Sequence, residues 1–265
     1  MQSYDFLISE LLLRLRSPRK LTIPDNFQPF LVDCAANQNP EILLDILFEP
    51  APVLSEGLLR FDKGKFIAMQ ESAGRGQPCR LFLPPSFADT FCQHGSWLNC
   101  FSLERMLLQW GRLILHASAV LYQGKAYVFC APSGTGKSTH AALWENYFGA
   151  KVLNGDKVVL YATEQGVMAS GSPVAGSSEI YCKDTAPVAA VYLLKQGPKN
   201  IITPVSRRTA TLSLYALAVK SEDDPDFNRQ LLDLAVSIEK QLKIFSLECL
   251  PDKSAVECIL NDRKE

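Results

Sequence analysis

Residues 131 to 138 read APSGTGKS, between an apolar strand-like run, YVFCA, and a helix-like run, STHAALWENYF, that Gly149 closes. The segment fits the phosphate-loop (Walker A) pattern A/G-x-x-x-x-G-K-S/T, with Ala131 where the strict pattern has glycine. From average residue usage, roughly one chain in fifty of this length would match by chance. A strand before the loop and a helix after it is the setting in which the pattern has physical meaning. Gly134 and Gly136 permit positive φ and close backbone approach, so successive N–H groups can face a phosphate while the helix N-terminus adds partial positive charge. Lys137 supplies a full charge, and Ser138 or Thr139 offers a hydroxyl to magnesium, with Ser138 in the motif position. Ser133, Gly134, Thr135, Gly136, Lys137, Ser138 and Thr139 are therefore the candidate ligands of an ATP phosphate chain. The plainer reading is a glycine turn before a surface lysine and an N-cap serine.

The remainder of the composition excludes more than it identifies. The chain has 265 residues and a net charge of −1, with 47% apolar and 21% charged residues. That is an ordinary globular composition long enough for one or two domains, with no charge excess that would recommend nucleic acid or a membrane surface as partner. The longest uncharged stretches, 90–103 and 165–178, run to only 14 residues and carry polar or turn-forming side chains, too short and too wet to span a bilayer as a helix. Asp5 and Glu10 precede Arg14 and Arg16, the reverse of a secretory signal's charge order. These features read as a cytoplasmic protein. The 8 cysteines contain no CxxC, and several lie in apolar runs, so they read as reduced structural thiols. Cys92 and His94 alone make a weak case for zinc.

Proline and glycine punctuation divides the chain into a β-rich N-terminal region, 1–101, and a phosphate-loop domain, 102–265. The run FLISELLLRLR, 6–16, alternates in a way that suits either strand or helix. Apolar spacing over Ser102 to Leu115 predicts a helix delivering the chain to His116. Two apolar runs flank Gln123-Gly124-Lys125 as a hairpin feeding the loop. Strand-like runs follow at 151–153, 158–162, 167–171, 189–194, 201–205 and 244–250, and helical patterns at 206–219 and 225–243. The fold class is α/β with α+β character, a mixed sheet with helices.

Asn154-Gly155 between apolar runs reads as a tight hairpin turn, while Asp156 is the carboxylate nearest after the loop, able to hold magnesium or accept a hydroxyl proton. His116 and His140 are the histidines near the loop in sequence; His116 could assist proton transfer, and His140 could touch a phosphate or face solvent. Arg207 and Arg208 open a helix after the last core strand and could stabilise a transferring phosphoryl group or simply sit on the surface.

The runs LHASAV (115–120), APSGTGKST (131–139), VLNGDKVVL (152–160), GSPVAGSSEIY (171–181) and AAVYLLKQG (189–197) resemble the C-terminal kinase domain of HPr kinase/phosphorylase, in particular its short bacterial relatives. ATP-dependent phosphoenolpyruvate carboxykinases share this style of loop. The resemblance covers residues 100–220 and implies that Lys137 and Ser138 bind nucleotide phosphates and metal. It also implies that His116 matches a histidine preceding the family hairpin, and that Asp156 matches the second of two adjacent aspartates. Gly155 stands in place of the first, which puts reverse phosphorolysis in doubt. The stretch Gly171 to Ser178 would be an acceptor-binding loop, with Ser172, Ser177 and Ser178 as donors, or else a plain hairpin loop. Related full-length kinases form oligomers, so the resemblance admits a homo-oligomer, which no heptad here indicates.

The function expected is a magnesium- and ATP-dependent kinase acting on a hydroxyl, such as a serine of a peptide or small protein, or on a small molecule. Lys137, Asp156 and His116 are its catalytic candidates, and Ser138 and Asp156 its metal ligands. A non-catalytic ATP-binding regulatory or scaffold protein is the alternative from a different class. Carboxykinase chemistry stands below both, because those enzymes are much longer and use additional basic and metal-binding residues that no pattern in this sequence places.

Overall fold

Ser9 and Glu10 take φ of 51° and 64°, the double positive φ of a two-residue hairpin turn. The ambiguous run 6–16 is therefore two strands, β1 (Gln2–Ile8) and β2 (Leu11–Ser17), paired antiparallel. The computed structural model describes residues 1–35, 38–52, 57–71, 74–94, 97–176, 179–220 and 224–262. Among them no helix is long and apolar enough to cross a membrane.

The chain forms two compact units, Met1–Trp110 and Gly111–Glu265. In the first, β1 and β2 join β3 (Leu31–Val32), β4 (Ile42–Leu47), β5 (Leu58–Asp62), β6 (Lys65–Glu71) and β7 (Cys79–Phe82). Their order is β3-β1-β2-β4-β7-β6-β5. Three short helices follow: α1 (Ala88–His94), α2 (Trp97–Cys100) and α3 (Leu103–Leu108). Phe6, Phe27, Phe91, Trp97 and Phe101 are all buried and form an aromatic core.

The helix expected over 102–115 ends at Leu108, and Gly111 turns the chain at φ 70°. Leu113 and Ile114 belong instead to an 11-residue strand, β8 (Arg112–Tyr122). Sheet pairing on both edges of β8 overrides the local helical period. His116 thus sits within a strand rather than at a helix-to-strand junction. The hairpin into β9 (Lys125–Cys130) forms as expected, with Gln123 and Gly124 at φ 49° and 74°.

The second unit continues with α4 (Lys137–Phe148), β10 (Lys151–Asn154), β11 (Lys157–Thr163), β12 (Gly166–Ser170), β13 (Thr185–Gln196) and β14 (Ile201–Pro204). It closes with α5 (Arg207–Leu217), α6 (Pro225–Glu239), β15 (Ile244–Cys249) and α7 (Lys253–Asp262). The fold class is mixed α/β. Strand β13 runs parallel to both β9 and β15, whereas β8 is antiparallel to β9, β10 and β11. Helix α4 packs on this sheet through Ala141 and the fully buried Trp144, whose ring lies 4.6 Å from that of Tyr127. Burying one such aromatic side chain contributes about 1.5–3 kcal/mol, so the helix that follows the glycine-turned loop is firmly seated.

Candidate functional site

The loop leaves the end of β9 and enters α4 at Gly136. Gly134 and Gly136 adopt φ of 78° and 106°, and a Cβ on either would meet nothing within 4 Å. Backbone conformation, and not packing, requires glycine at both positions. Ser133, Gly134, Ser138 and Thr139 are exposed, with Thr135 and Gly136 half-buried. Lys137 is buried, and its Nζ donates to the carbonyls of Ala131 (2.8 Å) and Pro132 (3.2 Å) at the loop entry. Two of the three ammonium protons are so used. Burial holds the Lys137 pKa below the usual lysine value, and the charge of Asp156 opposes that effect. Ser118 of β8 donates to the Lys137 carbonyl at 3.1 Å, tying the first turn of α4 to the sheet.

Asn154-Gly155-Asp156 is not a hairpin turn. Strands β10 and β11 run one after the other along the same edge of β8, and the register shifts between Val152 and Asn154. The bulge is at Leu153, just before the segment, and it re-aims the side chains that follow in the same antiparallel ladder. The Asp156 carbonyl still accepts from the Ala117 N–H at 2.9 Å. Its carboxylate meets two cation-capable groups: His116 Nε2 lies 3.1 Å from Oδ1, and Lys157 Nζ lies 2.7 Å from Oδ2. Lys157 is the cross-strand partner of His116, and its Nζ lies 3.1 Å from His116 Nδ1. A neutral imidazole with its proton on Nε2 satisfies both contacts, donating to Asp156 and accepting from Lys157. Burial and then the Lys157 charge lower the His116 pKa, with Lys137 adding to the effect and Asp156 opposing it. The structure therefore brings together Lys137, Asp156 and His116, and adds Lys157.

Asn154 is fully buried and holds this corner. Its Oδ1 accepts from the N–H groups of Asp156 and Lys157, both at 2.8 Å, while its Nδ2 donates to the carbonyls of Ser172 (3.3 Å) and Val174 (3.0 Å). The glycine-rich segment from Gly171 is thereby fastened beside the carboxylate. A Cβ on Gly176 would lie 2.8 Å from Asp156 Oδ2, and one on Gly171 would strike the carbonyl oxygens of Cys182 and Leu153. Ser172 is buried, with Oγ 2.9 Å from the Lys157 and Val174 carbonyls. It is a structural clasp rather than a donor to an acceptor; Ser177 and Ser178 lie outside the described residues.

His140 neither touches the loop's exposed face nor points to solvent. Its ring is buried against Phe129, centroids 4.3 Å apart, and Nε2 accepts from Trp144 Nε1 at 3.3 Å. Burial drives its pKa down to about 4. Arg207 pairs with Glu239 of α6 at 3.2 Å. Arg207 and Arg208 open α5, whereas Ala216, Leu217 and Ala218 at its other end line a pocket with His116 and Lys157. None of the 8 cysteines is in a disulfide, and burial pushes the Cys130 thiol up to about 12. Among the described residues no three His, Cys, Asp or Glu side chains gather into a metal cluster.

The arrangement is a mixed α/β domain with a phosphate-type loop flanked by a charged corner. No family model matches the chain, and no curated protein matches it. Among solved structures, the Hpr(Ser) kinase/phosphatase from Coxiella burnetii aligns over 57% of this chain and 96% of its own length, at 10% identity and a TM-score of 0.34.

Proposed function

We propose that the chain is an ATP-dependent phosphotransferase that passes the γ-phosphoryl group to a hydroxyl, such as a serine of a peptide or small protein. The observation that carries this reading is the junction of a glycine-turned loop, with Lys137 at its base, and the Asp156 carboxylate held by Asn154, His116 and Lys157. The open space around Gly134 and Gly136 suits a phosphate chain. A magnesium ion in a phosphate-loop site needs few protein ligands, since phosphate oxygens and water supply the rest. The Ser138 hydroxyl and the Asp156 carboxylate are hard oxygen donors that fit it. When bound, the ion would neutralise charge on the phosphates.

Lys137 clamps the phosphates electrostatically. Asp156 accepts the acceptor hydroxyl's proton or holds the metal, and His116 keeps the carboxylate oriented through its Nε2 proton. Positioning and charge neutralisation supply most of the rate in such transfers. The test is incubation with magnesium and γ-labelled ATP in a cytosolic extract of the host, beside Lys137→Ala. Label on one acceptor, absent with the variant, supports the reading. ATP binding without transfer to any acceptor favours a non-catalytic nucleotide-binding module, to which Gly155 in place of a second acid and the prior pairing of Asp156 with two basic groups also point.

A further inference from the structure

The loop after β9 stands between two recesses. The strand sequence β8, β9, β13, β15 across the sheet leaves one recess on the β8 side, lined by His116, Lys157 and the loop entry at Pro132 and Ser133. The other opens on the β13 and β15 side. It is walled by Leu143 of α4, Leu194 at the end of β13, and Cys249, Leu250 and Pro251 at the end of β15, and its floor includes Thr135, Gly136 and Thr139 of the loop and first helical turn. Ligands of parallel α/β sheets gather outside the carboxyl ends of the strands, and β9, β13 and β15 all end here.

The second recess is about 230 Å³, below the ~300–1,000 Å³ of pockets that engulf a drug-sized ligand. It fits one ring system, with the rest of the ligand outside. Leu143, Leu194, Leu250 and Pro251 give it apolar walls, the His140 ring and Lys195 also line it, and Gln196 adds one carboxamide, whose Nε2 now donates to the Thr135 carbonyl at 3.4 Å. A glutamine carboxamide pairs in bidentate fashion with the N6 and N7 edge of adenine, which guanine does not offer. We infer that this recess holds the adenine base of the nucleotide, read by Gln196, so that the phosphates cross the loop toward Asp156 and the acceptor enters from the His116 and Lys157 side. The inference rests on the proposed nucleotide role of residues 133–139.

Calorimetric titration of the full chain with ATP, GTP and inorganic tripolyphosphate, each with magnesium, separates the two ideas. Tripolyphosphate senses only the loop. Leu250→Trp, which fills the recess, is expected to weaken ATP about tenfold while tripolyphosphate stays within about twofold, and Gln196→Ala to lower the preference for ATP over GTP about tenfold. Unchanged ATP affinity in Leu250→Trp would overturn the assignment. Absence of tripolyphosphate and ATP binding in the parent protein would overturn the loop reading and this inference with it. Because a filled variant that misfolds would lose both ligands, the parent is also photolabelled with 8-azido-ATP. Label within 194–197 or 249–251 supports the base pocket, and label confined to 116, 157 or 216–219 refutes it.

Discussion

His140 lies in the first turn of α4, directly behind the glycine-turned loop, and its buried neutral ring is a measurable liability in acid. Its pKa in the fold is about 4, against an ordinary value of 6.5, with burial as the cause. Between those values the unfolded chain binds a proton that the folded chain refuses. The stability contributed by the neutral ring is therefore fully present above pH 6.5 and is lost as pH falls toward 4. Lowering the pH from 7.5 to 5 should remove about 2 kcal/mol through this one residue. His140→Gln keeps an acceptor for Trp144 Nε1 and cannot titrate, so it should lack that component whatever its stability at neutral pH. Urea unfolding of parent and variant, followed by tryptophan fluorescence at both pH values, measures the difference between their slopes. Equal losses in the two proteins would show that the ring is protonated, or wetted, in the fold.

Gly176→Ala places a methyl group against Asp156 Oδ2, 2.8 Å away; transfer measured with γ-labelled ATP should fall about tenfold, with ATP affinity changed less than about twofold. Asn154→Ala strips the partners from two N–H groups and two carbonyls at a fully buried position. It should cost about 3 kcal/mol, read as a lower urea midpoint, and an unchanged midpoint would mean that water replaces the side chain. His116→Ala should act modestly on the transfer rate and abolish an acid limb that lies below the ordinary histidine value of 6.5, since burial and Lys157 lower that pKa. An identical pH profile in the variant would make His116 a purely structural residue.

The parts of the site that are legible in the sequence are those built from local backbone geometry. The loop's two glycines, its lysine and the strand and helix around it follow from neighbours within a few positions, and so does the hairpin at Gln123 and Gly124. What is not legible depends on register. Lys157 looks like an ordinary strand lysine until β11 pairs with β8 and sets it opposite His116. Asn154 looks like a hairpin residue, because Asn-Gly is the usual signal for one, yet β10 and β11 share one neighbour and never pair with each other. His116 is displaced from a helix end to mid-strand for a similar reason: the helical spacing of 102–115 is real, but β8 gains partners on both edges. The helix α7 escapes notice because it spans only 10 residues, and its apolar positions Ala255, Val256 and Ile259 form too narrow a stripe to stand out. The Ser172 hydroxyl is drawn into the loop's own hydrogen bonds, which no spacing announces.

In the proposed function one loop binds the nucleotide and a separate carboxylate directs the transfer. Parallel measurement of ATP binding and γ-phosphoryl transfer in parent, Lys137→Ala and Asp156→Asn proteins tests it most directly. Loss of both binding and transfer in Lys137→Ala, with binding retained and transfer cut at least ~100-fold in Asp156→Asn, is the result expected. Parent-like transfer by Asp156→Asn, or parent-like ATP binding by Lys137→Ala, would contradict it.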